Sequence, residues 1–95
     1  MFVEMATFEK KIKGGKLVKV IVEGSKTIND IKILGDFFAY PEEAIFELEK
    51  ALKGKEIKKE TIELLVRSEL KRRNAVLVGL NEEDLIYAIE KAAGA

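Results

Sequence analysis

Ninety-five residues, 47% of them apolar and 36% charged, describe one folded domain with a thin core rather than a disordered chain. Seventeen basic residues balance seventeen acidic ones, and a net charge of zero argues against a general binder of nucleic acid or anionic membrane. Cysteine and histidine are both absent, which excludes disulfides, thiolate catalysis, zinc–thiolate sites and sulfur relay, and removes the usual general base.

No apolar run approaches the ~18 residues of a membrane span. The segment Met1–Glu9 lacks the basic and apolar regions of a secretion signal, so the expected location is the cytoplasm. Lysine and glutamate dominate the charged residues and glutamine is absent, a composition that resembles heat-adapted proteins.

Residues 5–13 alternate, with Ala6, Phe8 and Ile12 on one side and Thr7, Glu9, Lys11 and Lys13 on the other, which predicts a half-buried strand. Gly14-Gly15 is a two-residue hairpin signal. Val18, Val20 and Val22 share one face of a second strand over 16–23, and Gly24-Ser25 suits a type II′ turn. A third strand spans 27–34, with Ile31 and Ile33 opposite Lys32 and Leu34. A meander this small needs a helical layer over one face.

The first helix is expected to start at Pro41, with Glu42 and Glu43 at the positive end of its dipole and Gly54 as its cap. Its apolar stripe is Ala44, Ile45, Leu48, Ala51 and Leu52, with Phe46 off the stripe. A second helix over 59–72 buries Ile62, Leu65, Val66 and Leu70 and ends in Lys71-Arg72-Arg73. The stretch 74–80 reads equally as a short strand or a buried connection. Asn81 caps a last helix, with Asp84 at its third position and Leu80 and Leu85 as a hydrophobic staple; Leu85, Ile86, Ile89, Ala92 and Ala93 face inward. Strands followed by helices indicate the α+β class: a three-stranded antiparallel meander, then three helices packed on one face, as a single domain over 1–95.

Several side chains are open to two readings. Gly14 and Gly15 serve either as a plain hairpin turn or as a close backbone approach to a ligand or partner. Lys16, among Lys10, Lys11, Lys13 and Lys19, either meets an acidic or phosphate group or belongs to a solvated face whose charge blocks edge pairing. Asp36, after Gly35, is either a turn carboxylate or an acceptor for a partner. Phe37 and Phe38 are successive and so point to opposite sides of an extended segment. With Tyr40 and Phe46 they either form an exposed interface or fill a small core. The acidic pairs at the helix starts are explained by the helix dipole, and no metal site is expected.

In order and at this spacing, Lys13-Gly14-Gly15-Lys16-Leu17-Val18-Lys19-Val20, Ile31-Lys32-Ile33-Leu34-Gly35-Asp36-Phe37-Phe38, Pro41-Glu42-Glu43 and the run Gly79–Leu85 resemble the C-terminal accessory domain of lipoate–protein ligases, over nearly the whole chain. The resemblance implies an α+β fold similar to the sulfur-acceptor scaffold proteins, without their cysteine. It implies a non-catalytic small subunit of a split, archaeal-type ligase, working as a heterodimer with a large catalytic subunit. That large subunit would hold ATP, magnesium and lipoate and form lipoyl-AMP. The lipoyl group would then pass to a lysine of an acceptor such as the glycine cleavage H protein or an E2 domain. Gly14, Gly15, Lys16, Gly35, Asp36, Phe37, Phe38 and Tyr40 are the residues expected to support the partner or the adenylation step. Two other readings stand beside it: a nucleic-acid-binding module using the lysine-rich hairpin, and a stand-alone enzyme restricted to carboxylate and lysine chemistry.

Overall fold

The computed structural model describes residues 4–12, 14 and 16–95. Among these the order is β1 (Met5–Lys11), β2 (Leu17–Gly24), β3 (Ile28–Gly35), β4 (Phe38–Tyr40), α1 (Ala44–Leu52), α2 (Lys59–Arg72), β5 (Val76–Val78) and α3 (Glu82–Ala93). Strands β1, β2 and β3 form the expected antiparallel meander, in that order. The valine alternation of β2 sets its inner face: Val18, Val20 and Val22 are all buried. Helix α3 packs across β2 and β1, α1 lies on β3, and α2 rests on both helices. Leu48, Leu52, Ile62, Val66, Leu85 and Ile89 close the core against the valines.

Several boundaries differ from the sequence expectation. Strand β1 is mostly exposed, because α3 covers it chiefly at Phe8, whose ring meets Tyr87 edge-on at 5.7 Å. The strand stops at Lys11 rather than continuing through Ile12, whose N–H donates to the Lys16 carbonyl at 2.6 Å, and Lys13 lies outside the described residues. Gly24 does not begin a two-residue turn: it still pairs with Ile28, and Ser25–Thr27 form the loop. Asn29 is the extra residue of a bulge between the Glu23–Asp30 and Gly24–Ile28 pairs. That bulge lets both Ile28 and Ile31 face the core although they are an odd number of positions apart. Pro41 is not the first helical residue. It belongs to a turn over 41–43, its carbonyl accepts from the Ala44 N–H, and α1 starts at Ala44. The run 74–80 resolves into a strand, with β5 pairing antiparallel to β4 in a separate two-stranded ribbon.

The remaining caps fall as expected. Helix α2 occupies 59–72, Gly54 follows α1 with φ +81°, and Asn81 Oδ1 accepts from the Asp84 N–H at 2.7 Å. Arg67, paired with Glu63 within α2, ties that helix to α3 through Glu82 and Glu83, and the guanidinium holds the Glu83 carboxyl below the ordinary range. Arg73 bridges α2 to α1 through Glu69 and Glu47. Among the described residues no helix is long and apolar enough to cross a membrane.

Glu90 is the exception in this arrangement. It is buried on α3 at 7% exposure, and its Oε2 finds no hydrogen-bond partner among the described residues. Burial, opposed by Lys59 and reinforced by Glu63 and Glu60, pushes its carboxyl pKa up. A raised carboxyl pKa means that the native state binds protons more readily than the unfolded chain. The group's favourable contribution is complete below about pH 4 and is lost as pH rises through the folded pKa. Glu90→Gln is therefore expected to match the wild type in thermal midpoint below about pH 4 and to exceed it at pH 7. Thermal melts across that range check the divergence. Asn81→Ala is expected to cost about 1 kcal/mol, lowering the midpoint by roughly 4–8 °C for a domain of this size.

Candidate functional site

The register of the sheet brings separate parts of the sequence to one corner. Val18 lies opposite Gly35, so the first residues of β2 meet the residue that follows β3. There the Leu17 N–H donates to Asp36 Oδ2 at 3.1 Å, and the Asp36 N–H donates to the Leu17 carbonyl at 2.9 Å. Asp36 thus accepts from its own chain, the turn role that the sequence allowed it, while its side chain stays exposed at the surface. Gly35 has φ +157°, and a Cβ there would collide with the Leu17 carbonyl and lie 3.0 Å from the Phe37 ring. Glycine is required at that position by crowding.

Lys16 is exposed at the entry to β2, and its side chain lies along Gly79. A Cβ on Gly79 would stand 3.2 Å from Lys16 Cδ and 3.4 Å from the Asp36 carbonyl oxygen, at φ +90°. Gly79 therefore completes the corner. In the sequence Gly79 stands out only as the lead-in to the last helix; its place here depends on the β4–β5 pairing, which joins residues far apart in the chain. Gly14 sits in the hairpin turn with φ +89° and open space around its α-carbon, and Gly15 lies outside the described residues.

The aromatic residues separate as an extended segment requires. Phe37 is half-buried against the core, while Phe38 is exposed. In the ribbon, Phe38 pairs with Val78 and Tyr40 with Val76, and between them Ala39 pairs with Leu77. Ala39 is buried and Leu77 partly so, whereas Phe38, Tyr40, Val76 and Val78 are 66%, 57%, 57% and 48% exposed. One face of the ribbon is thus a ladder of four apolar side chains turned to solvent. Phe46 is also exposed, on α1, with Lys50 Nζ 5.5 Å from its ring centre. Sequence alone does not single out Val76 and Val78; a Val-Leu-Val run shows period two, but three residues cannot distinguish a strand from a connection.

Behind β5 lies an open groove of about 780 Å³ whose apolar lining includes Leu70, Ala75, Leu77 and Leu80 and which reaches Gly79. The hairpin lysines do not form one patch. Lys10 faces α3, its Nζ 5.2 Å from the Tyr87 ring centre, while Lys19 is on the opposite face of the sheet, paired across from Glu9. Among the described residues, no group of three or more acidic side chains is placed to hold a metal ion.

Comparison with known proteins gives three results. Residues 5–89 match the family described as the C-terminus of bacterial lipoate protein ligase. The curated protein lipoate-protein ligase A subunit 2 of Thermoplasma acidophilum is 36% identical over 80 residues, covering 84% of this chain and 81% of that protein. A solved chain from the bipartite lipoate protein ligase of Thermoplasma acidophilum, described as part of an archaeal lipoylation system with an E2 lipoyl domain, superposes with a TM-score of 0.80 at 32% identity. That superposition covers 93% of this chain and 97% of the other. The chain belongs to the lipoate protein ligase C-terminal family.

The corner's own geometry can be tested without a partner. Asp36→Ala is expected to destabilise by about 0.5–1.5 kcal/mol, the net value of a typical hydrogen bond, and to speed amide exchange at Leu17. Asp36→Asn keeps an acceptor oxygen and is expected to preserve most of that protection. Urea midpoints and exchange at the Leu17 amide check both.

Proposed function

We propose that this chain is the non-catalytic small subunit of a two-chain lipoate–protein ligase. It docks on a large catalytic subunit and enables ATP-dependent lipoate adenylation by that subunit, before the lipoyl group passes to an acceptor lysine. In this reading the whole chain acts as one accessory domain. ATP, magnesium and lipoate bind through the large subunit, and the glycine cleavage H protein and E2 domains are indirect partners that receive the product. In this reading the heterodimer works in the cytoplasm.

The observation that carries the reading is the apolar ladder of Phe38, Tyr40, Val76 and Val78 on a chain of this family. Phe38 follows Asp36 by two residues and Val78 precedes Gly79, so the ladder is continuous with the corner formed by Lys16, Asp36 and Gly79. An exposed aromatic pair beside a polar rim has the composition of an interface core. A standard interface takes roughly 800 Å² from each partner, a modest share of this chain's 6013 Å². The chemistry of the chain agrees with a supporting role: without histidine or cysteine it offers no ordinary general base or thiol nucleophile. Its contribution is then conformational, holding the partner in a competent arrangement, with Lys16 at the contact or beside the bound phosphates.

ATP–pyrophosphate exchange dependent on lipoate tests this directly. The chain alone is expected to be inactive, and the large subunit is expected to gain activity when this chain is added. Phe38→Ala and Tyr40→Ala are each expected to weaken association by about tenfold or more, the scale of aromatic interface anchors, while leaving the isolated chain folded. Lys16→Ala is expected to lower adenylation, association or both. No measurable association, or exchange by this chain unaided, would overturn the assignment.

A further inference from the structure

A second cleft, of about 400 Å³, lies between β1, α2 and α3, on side chains the proposed docking face does not use. It is lined by Lys10 of β1, Glu63 and Arg67 of α2, and Asp84, Tyr87 and Glu90 of α3, with Glu83 and Ile86 beside them. The acidic groups outnumber the basic ones, and Arg67 is already engaged by Glu63, Glu82 and Glu83. That leaves Glu90, a carboxylate lining the cleft that is more than nine-tenths buried and has one oxygen without a partner among the described residues. A buried carboxylate left unpaired is costly, and a cation brought to it would recover that cost.

We propose that this cleft binds a single alkylammonium group, with Glu90 as its anionic anchor and the Tyr87 ring and Ile86 as the wall for its alkyl chain. The Tyr87 ring already meets that chemistry. Lys10 Nζ sits 5.2 Å from the Tyr87 ring centre, and Lys91 Nζ is 5.5 Å from the same ring. Lys10 reaches the ring without forming an ion pair to Glu90, so the resident cation occupies the aromatic part of the site and leaves the carboxylate free. A ligand with its ammonium on a flexible chain reaches past Lys10. Lys59 and Glu60 of α2 also act on Glu90 with opposite signs, and the raised carboxyl pKa follows from its burial and its acidic neighbours. The ammonium comes either from a small diamine or from a lysine side chain of a bound protein. The inference does not depend on the ligase reading.

The test is a titration of the full chain, followed by amide NMR at moderate salt, with 1,4-diaminobutane in one arm and N-acetyl-lysine methylamide in the other. 1-Butanol serves as the uncharged control. Saturable shifts centred on Tyr87 and Glu90 are expected with an amine and not with butanol. Glu90→Gln, which is expected to fold at least as well as the wild type at pH 7, should weaken the binding tenfold or more. Lys10→Gln, which removes the competing cation, should strengthen it. Saturation by the diamine alone identifies a small metabolite as the source, and saturation by the lysine derivative alone identifies a protein side chain. The proposal fails if neither amine gives saturable shifts, if butanol binds as well, or if the Glu90→Gln chain binds with unchanged affinity.

Discussion

The buried valine face of β2 is the constraint on which the rest of the molecule depends. β2 is the strand paired on both edges, and its inner side chains are sealed by α3 and its neighbours. A slip of one residue against either β1 or β3 would turn Val18, Val20 and Val22 to solvent, so the register of all three strands is fixed by burial rather than by turn chemistry. The candidate site follows from that register. With Val18 held opposite Gly35, Leu17 and Asp36 have no option but to meet, and the two hydrogen bonds between them close the end of the sheet. The crowding that excludes a side chain at Gly35 has the same origin, since the Leu17 carbonyl occupies that space.

The treatment of strand edges explains why the ribbon stands out. The free edge of β3 is covered: Glu49 of α1 accepts from the Ile33 N–H at 2.7 Å, and the loop after α1 adds hydrogen bonds at Ile28 and a bridge from Thr27 to Glu56. β1, the other edge, carries Glu9, Lys10 and Lys11, charges that discourage pairing with another chain. Against these devices, the β4–β5 ribbon offers four apolar side chains in two cross-strand pairs with no charge among them. Single exposed apolar residues are ordinary, but a contiguous ladder on a chain this small is the usual mark of a surface that meets another protein.

How much of this could be read from the sequence depended on element length. The meander, the 59–72 helix and the capped last helix each carry several periods of pattern, and all three appear where the periodicity puts them. The ribbon does not, because two three-residue strands contain barely more than one period, and their pairing links residues on opposite sides of α1 and α2. Proline's preference for a first helical position points to Pro41, but the polypeptide uses it one turn earlier, where its carbonyl accepts from the Ala44 N–H. For the site, the argument that Phe37 and Phe38 must diverge needed only the geometry of an extended chain, and it holds. Gly79 and the two valines required knowledge of which distant strand lies beside β4, and local pattern carries no such information.

Glu90 shows the same limit from the electrostatic side. On a helical wheel it lies beside Ile86 and Ala93, two of the inward residues, yet a glutamate at that position ordinarily turns its head to water. Here it is buried instead, within electrostatic reach of Lys59, Glu60 and Glu63 of α2. The zero net charge of the whole chain conceals this arrangement. Carboxylates gather where α2 meets α3, at Glu63, Glu82 and Glu83, and Arg67 is the cation that holds that acidic seam together. With the guanidinium committed to three glutamates on the seam's outer side, the carboxylate beneath it is left unbalanced. Lys59 offsets that burial only in part, and stability alone would favour an apolar residue or glutamine at that position, which is the imbalance that the proposed alkylammonium group would relieve.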